Sequence, residues 1–135
     1  LIEKFEIGYD HNRMVNDIEI IKNLKEYVTI NNLSFKGLDS LSHTTKAAIV
    51  DIIQAHNVKR ICLIPFKFCS ARDYAQFISE ALNYVSSVEI KGRTVHDHNI
   101  IRSLFDQIRL RPEIADAKAE IENKNGIPSL IVSAK

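Results

Sequence analysis

Residues 58–68 read VKRICLIPFKF, residues 70–84 read SARDYAQFISEALNY, and residues 85–90 read VSSVEI. The first segment is the most apolar run in the chain, and Pro65 should end regular strand pairing because it has no N–H to donate. Ser70 is placed to cap a helix over 71–84, with Asp73 in its first turn near the positive end of the helix dipole. Tyr74, Phe77, Ile78, Ala81 and Leu82 fall at helical spacing and give that helix one apolar face. A second strand follows at Ser87–Lys91. Val58, Ile61 and Leu63 return 27 residues later as Val85, Val88 and Ile90. A strand, a helix and a matching strand make a crossover unit, which implies parallel pairing.

Working outward, residues 1–8 (LIEKFEIG) predict a strand with Phe5 and Ile7 on one face. Asp10 or Asn12 can cap a helix over about 13–26, carrying Met14, Val15, Ile18, Ile21 and Leu24. Residues 27–35 read as the next strand, with Val28 and Ile30 on one face and Thr29 and Asn31 on the other. Asp39, Ser40 or Ser42 can start a helix that presents Ala47, Ala48, Ile52 and Ile53 and stops at a left-handed Asn57. Beyond the fourth strand, Asp97 or Asn99 can cap a helix with Ile100, Ile101, Leu104, Phe105 and Ile108. Pro112 opens a second predicted helix with Ile114, Ala117, Ala119 and Ile121, stopped by Gly126. The last predicted strand is Ser129–Ser133.

The chain of 135 residues suits one domain, and 45% hydrophobic with 26% charged residues is ordinary globular composition. A net charge of +1 gives no bulk attraction to nucleic acid or an acidic membrane surface. No apolar run reaches the length of a membrane span. The chain opens on Leu1, from which a fragment or processed product of a larger protein is expected. Cys62 and Cys69 lie too far apart in extended chain to bond, so two thiols and a reducing, cytoplasmic setting are expected (or delivery into a cytoplasm).

The strands share a finer pattern. Apolar residues fall at i, i+3 and i+5 in Ile2-Phe5-Ile7, Val58-Ile61-Leu63, Val85-Val88-Ile90 and Ile127-Leu130-Val132. Val28 and Ile30 fit only in part, because Lys25 stands where the first apolar residue should be. This spacing resembles the L-x-x-L-x-L core of leucine-rich repeats, of the ribonuclease-inhibitor-like kind with one helix per repeat. The units so defined are 23, 33, 27 and 42 residues long. The position usually held in that family by Asn, Cys or Thr is here Asp10, Leu33, Phe66, Arg93 and Lys135. The resemblance implies a short solenoid of parallel strands with helices on one side. The alternative is a compact two-layer α/β sheet. Residues opposite the core positions are largely polar, and a buried unpaired charge is costly, so one strand face should meet water.

Under the resemblance, that face is the functional surface. It would line up Glu6, Thr29, Asn31, Cys62, Ile64, Glu89, Lys91 and Ile131 to bind a partner protein, with no cofactor, no nucleic acid and no membrane. A second reading is a metal-dependent nuclease or hydrolase. Glu89-Ile90-Lys91 has the spacing in which Glu holds a magnesium ion and Lys orients water, but that chemistry needs a further acid on a neighbouring strand end. Asp73 is the nearest in sequence and falls in a helix. His96 and His98 could contribute to a metal site, although Asp97 between them also reads simply as a helix cap. No phosphate-cradling glycine loop is present.

Overall fold

The computed structural model describes residues 2–8, 14–24, 29–38 and 41–134. Among the described residues six strands form one sheet: β1 (Ile2–Gly8), β2 (Ile30–Lys36), β3 (Arg60–Ile64), β4 (Ser87–Lys91), β5 (Lys118–Lys124) and β6 (Ile127–Ser133). The described residues also form the α-helices α1 (Met14–Asn23), α2 (His43–His56), α3 (Ala71–Ala81) and α4 (His98–Leu110). The spatial order is β1-β2-β3-β4-β6-β5. The first four strands are parallel and adjacent in chain order, each reached through a helix. Crossovers of one hand that always advance in one direction leave their helices on one side of the sheet.

Register places the core in rows. Phe5, Leu33, Ile61, Val88, Val132 and Ala119 pair across the six strands, as do Ile7, Phe35, Leu63, Ile90, Leu130 and Ile121. Leu33, Leu63, Val88, Ile90, Leu130 and Val132 are each at most 1% exposed. From the helix layer, Ile49, Ile52, Ile53, Tyr74, Phe77, Ile78, Ile101, Leu104 and Ile108 close onto them. The predicted α2 face shifts slightly, since Ile49 is buried and Ala47 exposed.

The predicted stops and starts have local causes. Ser42 Oγ accepts from the Thr45 N–H at 3.2 Å, and Ser70 Oγ from the Asp73 N–H at 3.1 Å, each satisfying an otherwise orphaned donor of the first turn. Asn57 ends α2 in the left-handed region, φ 53°. At the buried end of α2, His56 donates from Nε2 to the Ile21 carbonyl and ties α2 to the end of α1. Ile21 is buried, whereas Leu24 is 41% exposed and lies outside the apolar face predicted for it.

Two expectations are corrected. The second strand takes its i, i+3, i+5 residues from Ile30, Leu33 and Phe35, which are each 1% exposed. Ile2 pairs with Ile30, and Phe5 with Leu33. Val28, Lys25 and Tyr27 lie outside the described residues, as do Asp10, Asn12, Asp39 and Ser40 among the suggested caps and Lys135 at the chain end. The repeat positions are therefore Ile2, Ile30, Val58 and Val85, at intervals of 28, 28 and 27 residues.

The second correction concerns residues 112–133. Pro112 opens only a single 3-10 turn, Pro112–Ile114, and residues 118–124 form β5 where a helix was expected. Asn125 and Gly126, at φ 55° and 80°, make the tight turn of a hairpin, where both residues need positive φ. Gly126 is thus a turn residue, and β6 runs antiparallel to both its neighbours. Ile127-Leu130-Val132 is not a fifth parallel unit. Among the described residues no helix is long and apolar enough to cross a membrane.

Candidate functional site

With the helices on one side, alternate strand positions face the other. Three rows cross this open face. Asn32 pairs with Arg60, Arg60 with Ser87 and Ser87 with Ser133. Glu6 pairs with Ser34, then Cys62, Glu89, Ile131 and Glu120 follow in line. Lys36 pairs with Ile64, and Lys91 with Ser129. The middle of the face holds a depression of about 290 Å³ lined by Asn32, Ser34, Arg60, Cys62, Ile64, Ser87, Glu89, Lys91 and Ile131, with Leu33 and Ile61 reaching its floor.

Of the eight residues predicted for this surface, Glu6, Cys62, Glu89 and Ile131 lie in one row, with Ile64 and Lys91 in the row above. Thr29 and Asn31 do not join them. Thr29 precedes β2, and Asn31 is one residue out of phase with the open-face positions Asn32, Ser34 and Lys36. A one-residue shift of register exchanges the faces of a strand, so choosing Val28 over Leu33 as a core residue moved the whole prediction. Arg60, Ser87, Asn32 and Ser34 were missed. The signal for them was the repeat itself, because Arg60 occupies the outward position between Val58 and Ile61.

The chemistry of the groove is mixed. Cys62, Ile64 and Ile131 are half-buried and give it an apolar floor, while Arg60 and Lys91 stand exposed at its margins. Among the described residues, Lys36, Arg60 and Lys91 form no ion pair. Glu89 is half-buried between Cys62 and Ile131 in register. Neither cysteine forms a disulfide.

The acid that a metal-dependent strand site would require is not beside Glu89, whose register neighbours are a thiol and an aliphatic side chain. Asp73 lies in the first turn of α3, as its sequence context predicted. Asp97 stands at the start of α4 but makes no side-chain cap bond to it; its Oδ2 instead accepts from the Arg93 N–H at 2.8 Å and the Thr94 N–H at 3.1 Å and closes the preceding 3-10 turn, Val95–Asp97. His98 Nε2 lies 3.0 Å from the Gly126 carbonyl, to which it can only donate, and so fastens α4 to the hairpin turn. Among the described residues no group of three or more His, Cys, Asp or Glu is gathered as metal ligands would be.

Two other depressions flank the sheet. One of about 300 Å³ lies between the end of α3 and the 3-10 turn and includes Ser79, Glu80, Glu113 and Asp116. There Glu113 accepts from Ser79 Oγ at 3.1 Å and pairs with Arg111 at 2.7 Å. A backbone hydrogen bond, aided by Arg111, holds the Glu113 carboxyl below its ordinary pKa. The other, of about 480 Å³, lies along α4 and β5 at His98, Asn99, Arg102, Ile121 and Asn123. In the first, Glu113 braces α3 against the 3-10 turn, and in the second His98 fastens α4 to the hairpin.

No protein-family model, curated protein or solved structure matches this chain.

Proposed function

We propose that this chain is a protein-interaction module of the leucine-rich-repeat type, a short solenoid that engages a partner protein through its open strand face. The single observation that carries the reading is the repeat register. Four core triplets recur at 28, 28 and 27 residues, and the strands that hold them are parallel and adjacent in chain order. Repetition of this kind leaves an uncovered sheet whose outward side chains can vary independently of the core, which suits recognition of a protein surface. The groove adds a second support, because a half-buried apolar floor with charged margins is the layout of a small protein-binding patch.

The test places a photo-crosslinking amino acid either at position 131, on the open face, or at position 102, on the outer side of α4. A partner crosslinked from cell extract through position 131 and competed away by unlabelled protein is the expected result. Capture confined to position 102, or equal capture from both positions, would move the binding surface off the strands. The variant Lys91→Ala, matched to the native protein by circular dichroism, should weaken the same crosslink.

A further inference from the structure

Resting on the proposal that the open face binds protein, we propose that its occupant is a short acidic peptide segment carrying an apolar side chain. Lys36 and Lys91 stand on either side of Ile64, on strands two apart, so their backbones are about 10 Å from each other. Arg60 lies four residues back along β3, about 13 Å from Ile64. Three exposed cations, none ion-paired among the described residues, thus surround a patch whose floor is Cys62 and Ile64. Unneutralised cations beside half-buried apolar surface call for a ligand with carboxylates on either side of an apolar residue.

The surrounding charges favour a short ligand over a polymer of phosphates. Beyond the groove, exposed Glu6 lies on β1 and exposed Glu120 and Glu122 lie on β5. On β5 those acids lie in phase with Lys118 and Lys124, and Lys118 pairs with Glu120 at 3.2 Å, so the net positive charge of the open face is concentrated on β2–β4 and favours a short segment lying there. Glu89 stands on β4 beside Cys62, two residues from Lys91 and just outside the triangle of cations, where it opposes a phosphate backbone, and no aromatic ring lines the groove to stack a base. Glu89 also lowers the affinity for carboxylates, which makes it a test position of opposite sign to the cations.

A library of displayed random peptides of about a dozen residues is selected on the native protein. Selected peptides are then measured by fluorescence anisotropy on native, Lys36→Glu plus Lys91→Glu, Glu89→Gln and Ile64→Ser proteins, with an oligothymidylate as the nucleic-acid probe. The expected result is peptides rich in Asp and Glu around an apolar residue, bound about tenfold more weakly by the lysine variant and more tightly by Glu89→Gln. Their binding to the native protein should weaken between about 50 and 300 mM salt, a readout that needs no variant. Neutral or basic peptides that still lose binding with Ile64→Ser would overturn the acidic specificity and leave the interaction face standing. An oligothymidylate bound more tightly than the peptides and lost in the lysine variant would replace the peptide by a nucleic acid. No selected peptide, or peptides indifferent to every one of these substitutions, would sink both proposals.

Discussion

Leu63 and Ile64 are neighbours on β3 with opposite fates. Leu63 is completely buried under the helix layer, and Ile64 looks out half-exposed beside Lys36. The two faces of the sheet differ in the same way throughout. The covered face is a continuous apolar surface in which each side chain fits several others. The open face is a sparse array of polar, charged and half-buried apolar groups over one shallow groove. Stability resides in the first, and the second is free to be specified by a ligand, because changing it leaves the core contacts intact.

The sharpest way to break that comparison is to truncate both neighbours. Leu63→Ala should destabilise the protein by about 2–5 kcal/mol, since it leaves a cavity among rigid neighbours. Ile64→Ala should cost about 1 kcal/mol or less, because a half-exposed side chain has less burial to lose. Chemical denaturation of the two variants decides it, and equal losses would mean that the open face is a second core.

A smaller effect is expected where the sheet meets its hairpin. The Gly92 N–H donates to the Pro128 carbonyl at 2.9 Å, and a Cβ on Gly92 would lie 2.5 Å from that oxygen. Gly92→Ala must push the β4 end away from β6 at a cost of about 1–3 kcal/mol, read as a lower midpoint in the same experiment.

The least effect concerns Glu113, which is exposed and links α3 to the turn after α4. Its folded-state pKa is lowered, so its contribution is complete above the ordinary carboxylate range and is lost as pH falls through the folded value. Native protein and Glu113→Gln should differ slightly in melting temperature at about pH 6 and converge toward about pH 3. A difference that grows on acidification would contradict the assignment.

Much of this was legible from local pattern. The i, i+3, i+5 triplets of β1, β3 and β4, the caps at Ser42 and Ser70 and the left-handed stop at Asn57 depend on residues close in sequence. From those triplets followed five of the eight open-face residues, and Ile131 from the matching spacing in β6. What failed depended on choices that local pattern leaves open. In β2, Val28 and Ile30 alternate as plausibly as Ile30, Leu33 and Phe35 recur, and only pairing with β1 decides between them. Residues 114–121 could lay Ile114, Ala117 and Ile121 along a helix, yet Ala119 and Ile121 also alternate with Lys118, Glu120 and Glu122. The Asn125-Gly126 pair was the available signal for a hairpin. The antiparallel partner of β4 could not be read locally at all, since β6 lies about 40 residues downstream.

That insertion has a consequence for how the chain is made. β5 is synthesised before β6, but it pairs with β6 alone, while β6 also pairs with β4. Until residues 127–133 emerge, β5 has no sheet to join and the far side of β4 remains an open template. Through the synthesis of α4 and the hairpin turn, a nascent chain therefore exposes Ser87–Lys91 to any strand that can add to it. β6, the later strand of the hairpin, closes the sheet from within, and a ribosome paused before residue 127 would hold the molecule at its most adhesive moment.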